Sequence, residues 1–302
     1  MTLTAHFAGI LATASLLAAA RPDNDYKFRT FEVCKGCPTE TGGINDRGLV
    51  GALRLGPSGP VQGYVFNAQT SVVTPVPGAL AITVPSNSGR VPGLGVGRGG
   101  DLVPVVREQD GSLTVLDGYP GALFTMILQL NSEGAGVGYT SKNFSTWFSF
   151  RRSANGVYHE LVYPGPVGSL TLGTFLLGWN DEGTMVGYLA DPSETEFAGL
   201  IRRPNGEWRK WSVPGSTSTI IYAITECGVL AGGYKDETRW HGFVWSHGKL
   251  ETVDFPGAFN TVVTGINDQG NLVGGTFDGR SPLVSPPSTA FIATREGGCD
   301  DE

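Results

Sequence analysis

One phrase recurs along this chain at near-constant spacing. Gly43-Ile-Asn-Asp-Arg-Gly-Leu-Val-Gly51 returns as Gly265-Ile-Asn-Asp-Gln-Gly-Asn-Leu-Val-Gly274 and, with changes, as Trp179-Asn-Asp-Glu-Gly-Thr-Met-Val-Gly187. Degenerate copies stand at Ile224-Thr-Glu-Cys-Gly-Val-Leu-Ala-Gly232 and Leu130-Asn-Ser-Glu-Gly-Ala-Gly-Val-Gly138, and the weakest is Asn87-Ser-Gly. The key positions are Asn45, Asn87, Asn131, Asn180, Thr225 and Asn267, with steps of 42, 44, 49, 45 and 42 residues. A second marker falls between them: Pro77-Gly-Ala79, Pro120-Gly-Ala122, Pro164-Gly-Pro166, Pro214-Gly-Ser216 and Pro256-Gly-Ala258. A third is an apolar strand-like run, as in Gly63-Tyr-Val-Phe66 and Gly242-Phe-Val-Trp245. A period of this length, filled by short β-rich runs with Gly, Asn, Asp and Pro between them, is that of four-stranded propeller blades. One such blade cannot bury both of its faces, so blades must pack on each other around an axis.

The two ends of the chain set the expected count. The sixth unit begins at Asn267 and runs out at Phe291-Ile-Ala-Thr294 without a last strand, and Phe28-Arg-Thr-Phe-Glu-Val33 is a strand without a unit. The sequence therefore predicts an all-β fold, a six-bladed β-propeller whose last blade is closed by the N-terminal strand, spanning residues 21–302 as a single domain. Sealing the ring in this way leaves no open sheet edge.

Composition narrows the class. Gly is 45 of 302 residues and charged residues are only 16%, so the chain is neither collagen-like nor disordered. The net charge is −7 and no basic run occurs, which argues against nucleic-acid partners and against an anionic membrane surface. Residues 1–20 carry no charge and end in small side chains, the pattern of a secretory signal peptide. Secretion permits disulfides. Cys34 and Cys37 are expected to form a small loop disulfide, while Cys227 and Cys299, in different repeats, are expected as free buried thiols. Asn143-Phe-Ser145 is the one N-glycosylation sequon, and Asn143 is expected on an exposed loop.

The pattern Gly-Ile-Asn-Asp-x-Gly-x-x-Val-Gly, then Gly-Phe-x-Trp, then Thr-x-Asp-Phe-Pro-Gly-Ala resembles the HAF-type repeats of extracellular proteins, with His241-Gly-Phe243 matching the three letters of that name. The resemblance covers residues 27–302, closely in the last two units and loosely in the second and third. It implies a propeller and secretion, and it implies no chemistry.

Motifs for metal, nucleotide or triad chemistry are missing. His159, His241 and His247 are the histidines beyond the leader, and the last two belong to opposite ends of one strand, so a three-histidine zinc site is not expected. No Gly-x-Ser-x-Gly elbow occurs. Gly95-Val-Gly-Arg-Gly-Gly100 matches a dinucleotide fingerprint only as text, because a proline-containing β run follows it where a helix is required. The Asn-Asp-x-Gly segments lack the further carboxylates of a calcium loop and read as hairpin turns. No cofactor is expected.

Variable loops on a repeated scaffold are where binding usually lives. On the propeller reading, the Pro-Gly-Ala turns and the insertions near residues 56–60, 141–147, 191–197, 236–241 and 278–282 share one mouth of the central channel. Trp147, Tyr119, Trp240, Asp191 and Glu194 are the candidate ligand-binding residues there, with His241 and Tyr222 as candidate catalytic groups. The expected partner is a small organic molecule. The expected activity is cofactor-independent cyclisation, cycloaddition or isomerisation through orientation and carbonyl polarisation; fungal hetero-Diels–Alderases with propeller folds are a precedent of class, without a shared motif. The alternative is a non-catalytic extracellular binder of carbohydrate or protein, for which a site repeated in each blade would be the sign.

Overall fold

A computed structural model describes residues 26–55, 60–165, 173–190, 196–283, 285, 287–295 and 298–299. The expected leader lies outside these residues, as do Asp191 and Glu194 and most of the 56–60 insertion. The regular structure among the described residues is all β.

The chain opens with β1 (Lys27–Phe31). A first meander follows, β2 (Thr39–Ile44), β3 (Leu49–Arg54), β4 (Gln62–Asn67) and β5 (Val73–Pro75). The second is β6 (Ala79–Ile82), β7 (Val91–Val96), β8 (Leu102–Arg107) and β9 (Leu113–Val115). The third is β10 (Phe124–Leu130), β11 (Gly136–Ser141), β12 (Trp147–Arg152) and β13 (Tyr158–Leu161). The fourth is β14 (Gly173–Trp179), β15 (Met185–Ala190), β16 (Phe197–Arg202) and β17 (Trp208–Trp211). The fifth is β18 (Ser218–Ile224), β19 (Leu230–Lys235), β20 (Trp240–Ser246) and β21 (Lys249–Val253). The last has three sequential strands, β22 (Asn260–Ile266), β23 (Leu272–Phe277) and β24 (Pro287–Thr294). Its fourth is β1, which pairs antiparallel with β24 from Lys27 opposite Thr294 to Phe31 opposite Ala290. Glu32 and Val33, expected in that strand, continue beyond it. Single parallel pairings, Phe124 with Leu102 and Trp147 with Gly173, link the second, third and fourth meanders into one twelve-stranded sheet.

Each repeated residue has a local physical cause. In the Pro-Gly-Ala and Pro-Gly-Ser turns the residue before Pro accepts the fourth residue's N–H, as in Ala79 N to Val76 O at 3.1 Å, with Gly78 at φ +87°. This is the type II arrangement, Pro at the second position and Gly at the third. Cys34-Lys-Gly-Cys37 occupies the same turn with the same bond, Cys37 N to Cys34 O at 3.2 Å, and a disulfide takes the place of the proline's restraint. The glycines Gly138, Gly187 and Gly274 of the Val-Gly pairs lie against the first strand of their own meander: a Cβ on Gly187 would overlap the Phe175 carbonyl oxygen.

The Asn of the repeat works twice. Asn45 Oδ1 accepts the N–H of Leu49 at 2.9 Å within its own hairpin, while Nδ2 donates to Ser86 O of the next meander at 2.8 Å. Asn267 Nδ2 donates to Asn45 O at 3.0 Å, and Asn180 Nδ2 to Thr225 O at 3.4 Å. The Asn and Asp of these hairpins do not take positive φ; that role falls to the glycine alone, as at Gly48 (+70°) and Gly270 (+74°). In the second meander Ser86 holds the Asn position, closing its hairpin through Ser86 N to Arg90 O at 2.9 Å, and Asn87 stands where the first, fourth, fifth and last carry an acid.

The core lies between successive sheets. Phe175, Tyr188, Phe197, Ile220, Trp240, Val262 and Phe277 form one cluster drawn from the fourth, fifth and last meanders. Full burial of such side chains stabilises by about 1.5–3 kcal/mol each. The first strands β10, β14, β18 and β22 lie side by side in turn, and β2 rests against β22, β23 and β24 of the last meander.

Candidate functional site

The first strand of most meanders carries one extra residue, three positions before the Asn of the hairpin. The register skips Gly42 in β2, Leu128 in β10, Leu177 in β14, Tyr222 in β18 and Thr264 in β22. A β-bulge of this kind re-aims the extra side chain. All five residues, with Thr83 at the matching place, line a single chamber of about 280 Å³.

Five positions before the Asn, or before Ser86 in the second meander, the other copies carry Ala81, Met126, Phe175, Ile220 and Val262. The first carries Glu40. Glu40 lines the chamber with Ala81, Met126 and Val262, beside Tyr139 and Tyr188 from second strands and the bulged Tyr222. No Lys, Arg, His or second carboxyl is among the described lining residues. Glu40 keeps solvent-accessible surface because it stands in an open cavity, yet protein surrounds it, and the lost hydration pushes its carboxyl above the ordinary value. The Tyr139 and Tyr222 phenols are pushed up as well, first by burial and then by the nearby Glu40.

The aromatic wall is fixed from behind. Tyr139 stacks on Phe124 with centroids 5.7 Å apart and meets Phe175 edge-on at 5.3 Å. Tyr188 stacks on the other side of Phe175 at 4.8 Å. Such pairs hold ring orientation as well as burying area.

Val84, Tyr222 and Thr264 line both this chamber and a smaller cavity of about 110 Å³. They form a waist between the two, at which Thr41 and Thr264 share a hydroxyl hydrogen bond of 2.6 Å. The smaller cavity is polar. Around it the main-chain N–H of one hairpin donates to the acid of the next: Asp181 N to Glu226 Oε2 at 2.7 Å, Glu226 N to Asp268 Oδ1 at 2.9 Å, and Asp268 N to Asp46 Oδ1 at 2.9 Å. Asp46 also accepts from Asn87. Burial, followed by the neighbouring carboxylates Asp181, Asp268 and Asp46, pushes the Glu226 carboxyl up despite the N–H of Asp181.

Of the residues singled out from sequence, Tyr222 lies in the chamber. Trp147 stands behind it, with its ring centroid 5.8 Å from that of Tyr139. Tyr119 packs within the third meander against Phe148 and Tyr158 and is not among the lining residues. Trp240 is 1% exposed and its indole N–H donates to Arg280 O at 2.9 Å. His241 is buried, with Nδ1 2.8 Å from Asp254 Oδ2, Nε2 3.0 Å from Asp236 Oδ2, and its ring stacked on Tyr234. Tyr222 and His241 are therefore not brought to one cavity. Asn143 is on an exposed loop. Cys34 and Cys37 are joined. The expectation of free thiols at Cys227 and Cys299 is corrected: they form a second disulfide, because the C-terminal segment returns along the last hairpin, with Cys299 N donating to Asp268 O at 2.8 Å.

Glu40 escaped the sequence reading, which looked to the variable loops. Its signal is the charge in a column otherwise apolar.

No family model and no curated protein matches the chain. Solved structures do resemble it. A luciferin-regenerating enzyme superposes with a TM-score of 0.54 at 12% identity, covering 90% of this chain and 97% of that one. The β-propeller domain of the trilobed protease from Pyrococcus furiosus gives 0.51 at 9% identity, covering 87% and 96%. The fold is a β-propeller. A mutant of AofleA from Arthrobotrys oligospora gives 0.50 at 12% identity, covering 90% and 87%. At these identities the likeness is one of fold, and propeller folds host many functions.

Proposed function

We propose that this β-propeller has six blades, that the pairing of β1 with β24 closes its ring, and that it is secreted and binds one small, largely apolar organic molecule in the chamber at one end of its central channel. Within that molecule it promotes a cyclisation, cycloaddition or isomerisation. All atoms of the product come from the bound molecule, so the reaction consumes no oxidant, reductant or second substrate. The observation that carries the reading is Glu40: the one acidic side chain among the described lining residues of a cavity walled by Met126, Leu128, Leu177, Val262 and three tyrosines. A shaped cavity that holds a reactive conformer supplies orientation, and donors at its wall supply electrostatic stabilisation. A multivalent lectin would repeat its site from blade to blade, whereas Glu40 and Tyr222 each occupy their repeat column alone. The two disulfides support an oxidising, extracellular setting.

The reading is tested with Prodan, a neutral solvatochromic ketone, and with Leu128→Trp, which fills the chamber from a bulge position. The wild type binds Prodan at one site with a blue shift of its emission, and the variant loses that site while keeping its fold. Equal binding to both proteins would refute the chamber as the site.

A further inference from the structure

The chamber has a chemical polarity that its size alone does not give. The phenols of Tyr139 and Tyr222, which line the chamber and feel the Glu40 charge, are potential donors there, as is Glu40 when protonated. Among its described lining residues there is no Lys, Arg or His to neutralise an anionic ligand. Loss of hydration raises the Glu40 carboxyl above its ordinary value, so its neutral form persists to higher pH than that of a solvated glutamate. Among the described residues, the titratable groups near Glu40 on other strands are Tyr139 of β11 and Tyr222 of β18, whose phenols burial pushes above the ordinary 10.0 and so keeps neutral near pH 7, and Tyr188 of β15 lines the same chamber.

We propose that the molecule taken by the chamber is uncharged and carries a carbonyl, held by the protonated carboxyl of Glu40 acting with the Tyr222 hydroxyl, while its hydrocarbon body lies against Met126, Leu128, Leu177 and Val262. The inference rests on the chamber being the ligand site and adds the class of ligand and the residue that recognises it. Glu40 donates a hydrogen bond to the carbonyl oxygen and lowers the electron density of a conjugated system, as cyclisations and cycloadditions of unsaturated carbonyl compounds require. The proton stays on the carboxyl, and no bond to the protein forms. Tyr222 reaches the same space because its bulge turns it out of the strand register.

The experiment uses the full chain with two probes: β-ionone, a neutral enone, and the primary amine of the same carbon skeleton. Binding is followed by calorimetry, and the enone's absorption band reports hydrogen bonding to its carbonyl by a red shift. The wild type is expected to bind β-ionone with a red-shifted band and to prefer it to the amine at pH 7. Affinity falls as pH rises and Glu40 loses its proton. Glu40→Leu, which keeps size and removes the donor, is expected to weaken β-ionone about tenfold and to abolish the red shift. Glu40→Gln, which keeps a donor that does not titrate, restores part of the binding and removes its pH dependence. Preferential binding of the amine, lost in Glu40→Gln, overturns the proposal and makes Glu40 a carboxylate counter-ion. Binding of β-ionone that Leu128→Trp blocks but Glu40→Leu leaves unchanged overturns the role of Glu40 and leaves the chamber as the site. Failure of the folded wild type to bind either probe overturns both.

Discussion

Asn267 donates from Nδ2 to the carbonyl of Asn45, 222 positions away in sequence, at 3.0 Å. The same side chain accepts the N–H of Asn271 at 2.9 Å, so one buried amide both closes its own hairpin and joins the last meander to the first. Asn267→Ala removes both bonds and leaves the buried Asn45 carbonyl without this donor. The expected loss is about 2–3 kcal/mol, read from the urea midpoint at unchanged slope. Asn267→Asp is expected to be no better, since a carboxylate keeps the acceptor but faces a carbonyl where a donor is needed. Wild-type stability in Asn267→Asp would contradict this account.

Two glycines separate steric from conformational need. At Gly187 a Cβ would collide with the main-chain Phe175 oxygen, whereas at Gly215 (φ +79°) nothing lies within 4 Å. Gly187→Ala must push two strands apart and is expected to cost about 3 kcal/mol or more. Gly215→Ala bears only the left-handed backbone, about 1 kcal/mol. Thermal melts of the two variants should rank in that order.

The Cys227–Cys299 bridge spans 72 residues of chain, tying the C-terminal segment to the fifth hairpin. A loop of that length corresponds to about 4 kcal/mol of restricted unfolded-chain entropy, an upper figure for what Cys227→Ser with Cys299→Ser should lose. Non-reducing peptide mapping checks the pairing itself: a Cys227 peptide linked to a Cys299 peptide is expected, and free thiols at both would refute it.

His241 gives stability an alkaline limit. The hydrogen bond to Asp254 raises its pKa above the ordinary 6.5, burial opposes this, and Asp236 adds to the rise. Both ring nitrogens face carboxylates, so both must donate, and the imidazolium is the form the site holds. Because the folded pKa is raised, the contribution is complete below about 6.5 and disappears as pH climbs through the folded value. Asp236 sets the opposite limit. Burial works against its charge, but the N–H groups of Arg239 and Thr238 prevail and hold its carboxyl well below the ordinary 3.8, so its contribution is lost only as pH falls into strong acid. Melting temperature against pH should decline as pH climbs beyond about 6.5 in the wild type and flatten on that side in His241→Gln.

What could be read from sequence was what the backbone demands locally. Pro77-Gly78 and Pro214-Gly215 announce turns because their φ angles are fixed one residue at a time. The unit length follows from the Asn and Gly columns. The pairing of Cys227 with Cys299 depends on where a tail arrives after 72 residues, which no local pattern records. Trp240 and His241 were legible as the start of a third strand but not as inward-facing, and their position beside the loops drew the expected site outward. Glu40 needed a comparison down the repeat column rather than along the chain, because its meaning comes from Ala81, Met126 and Val262 at the same place in other units.

The account stands on the state of one carboxyl. Carbon-13 NMR of glutamate-labelled protein, with the Glu40 resonance assigned by its disappearance in Glu40→Gln, follows that group through a pH titration. The account predicts a midpoint clearly above the ordinary glutamate value of 4.5 and a shift of the resonance when β-ionone is added. A midpoint at or below 4.5, with no response to the ketone, would contradict it.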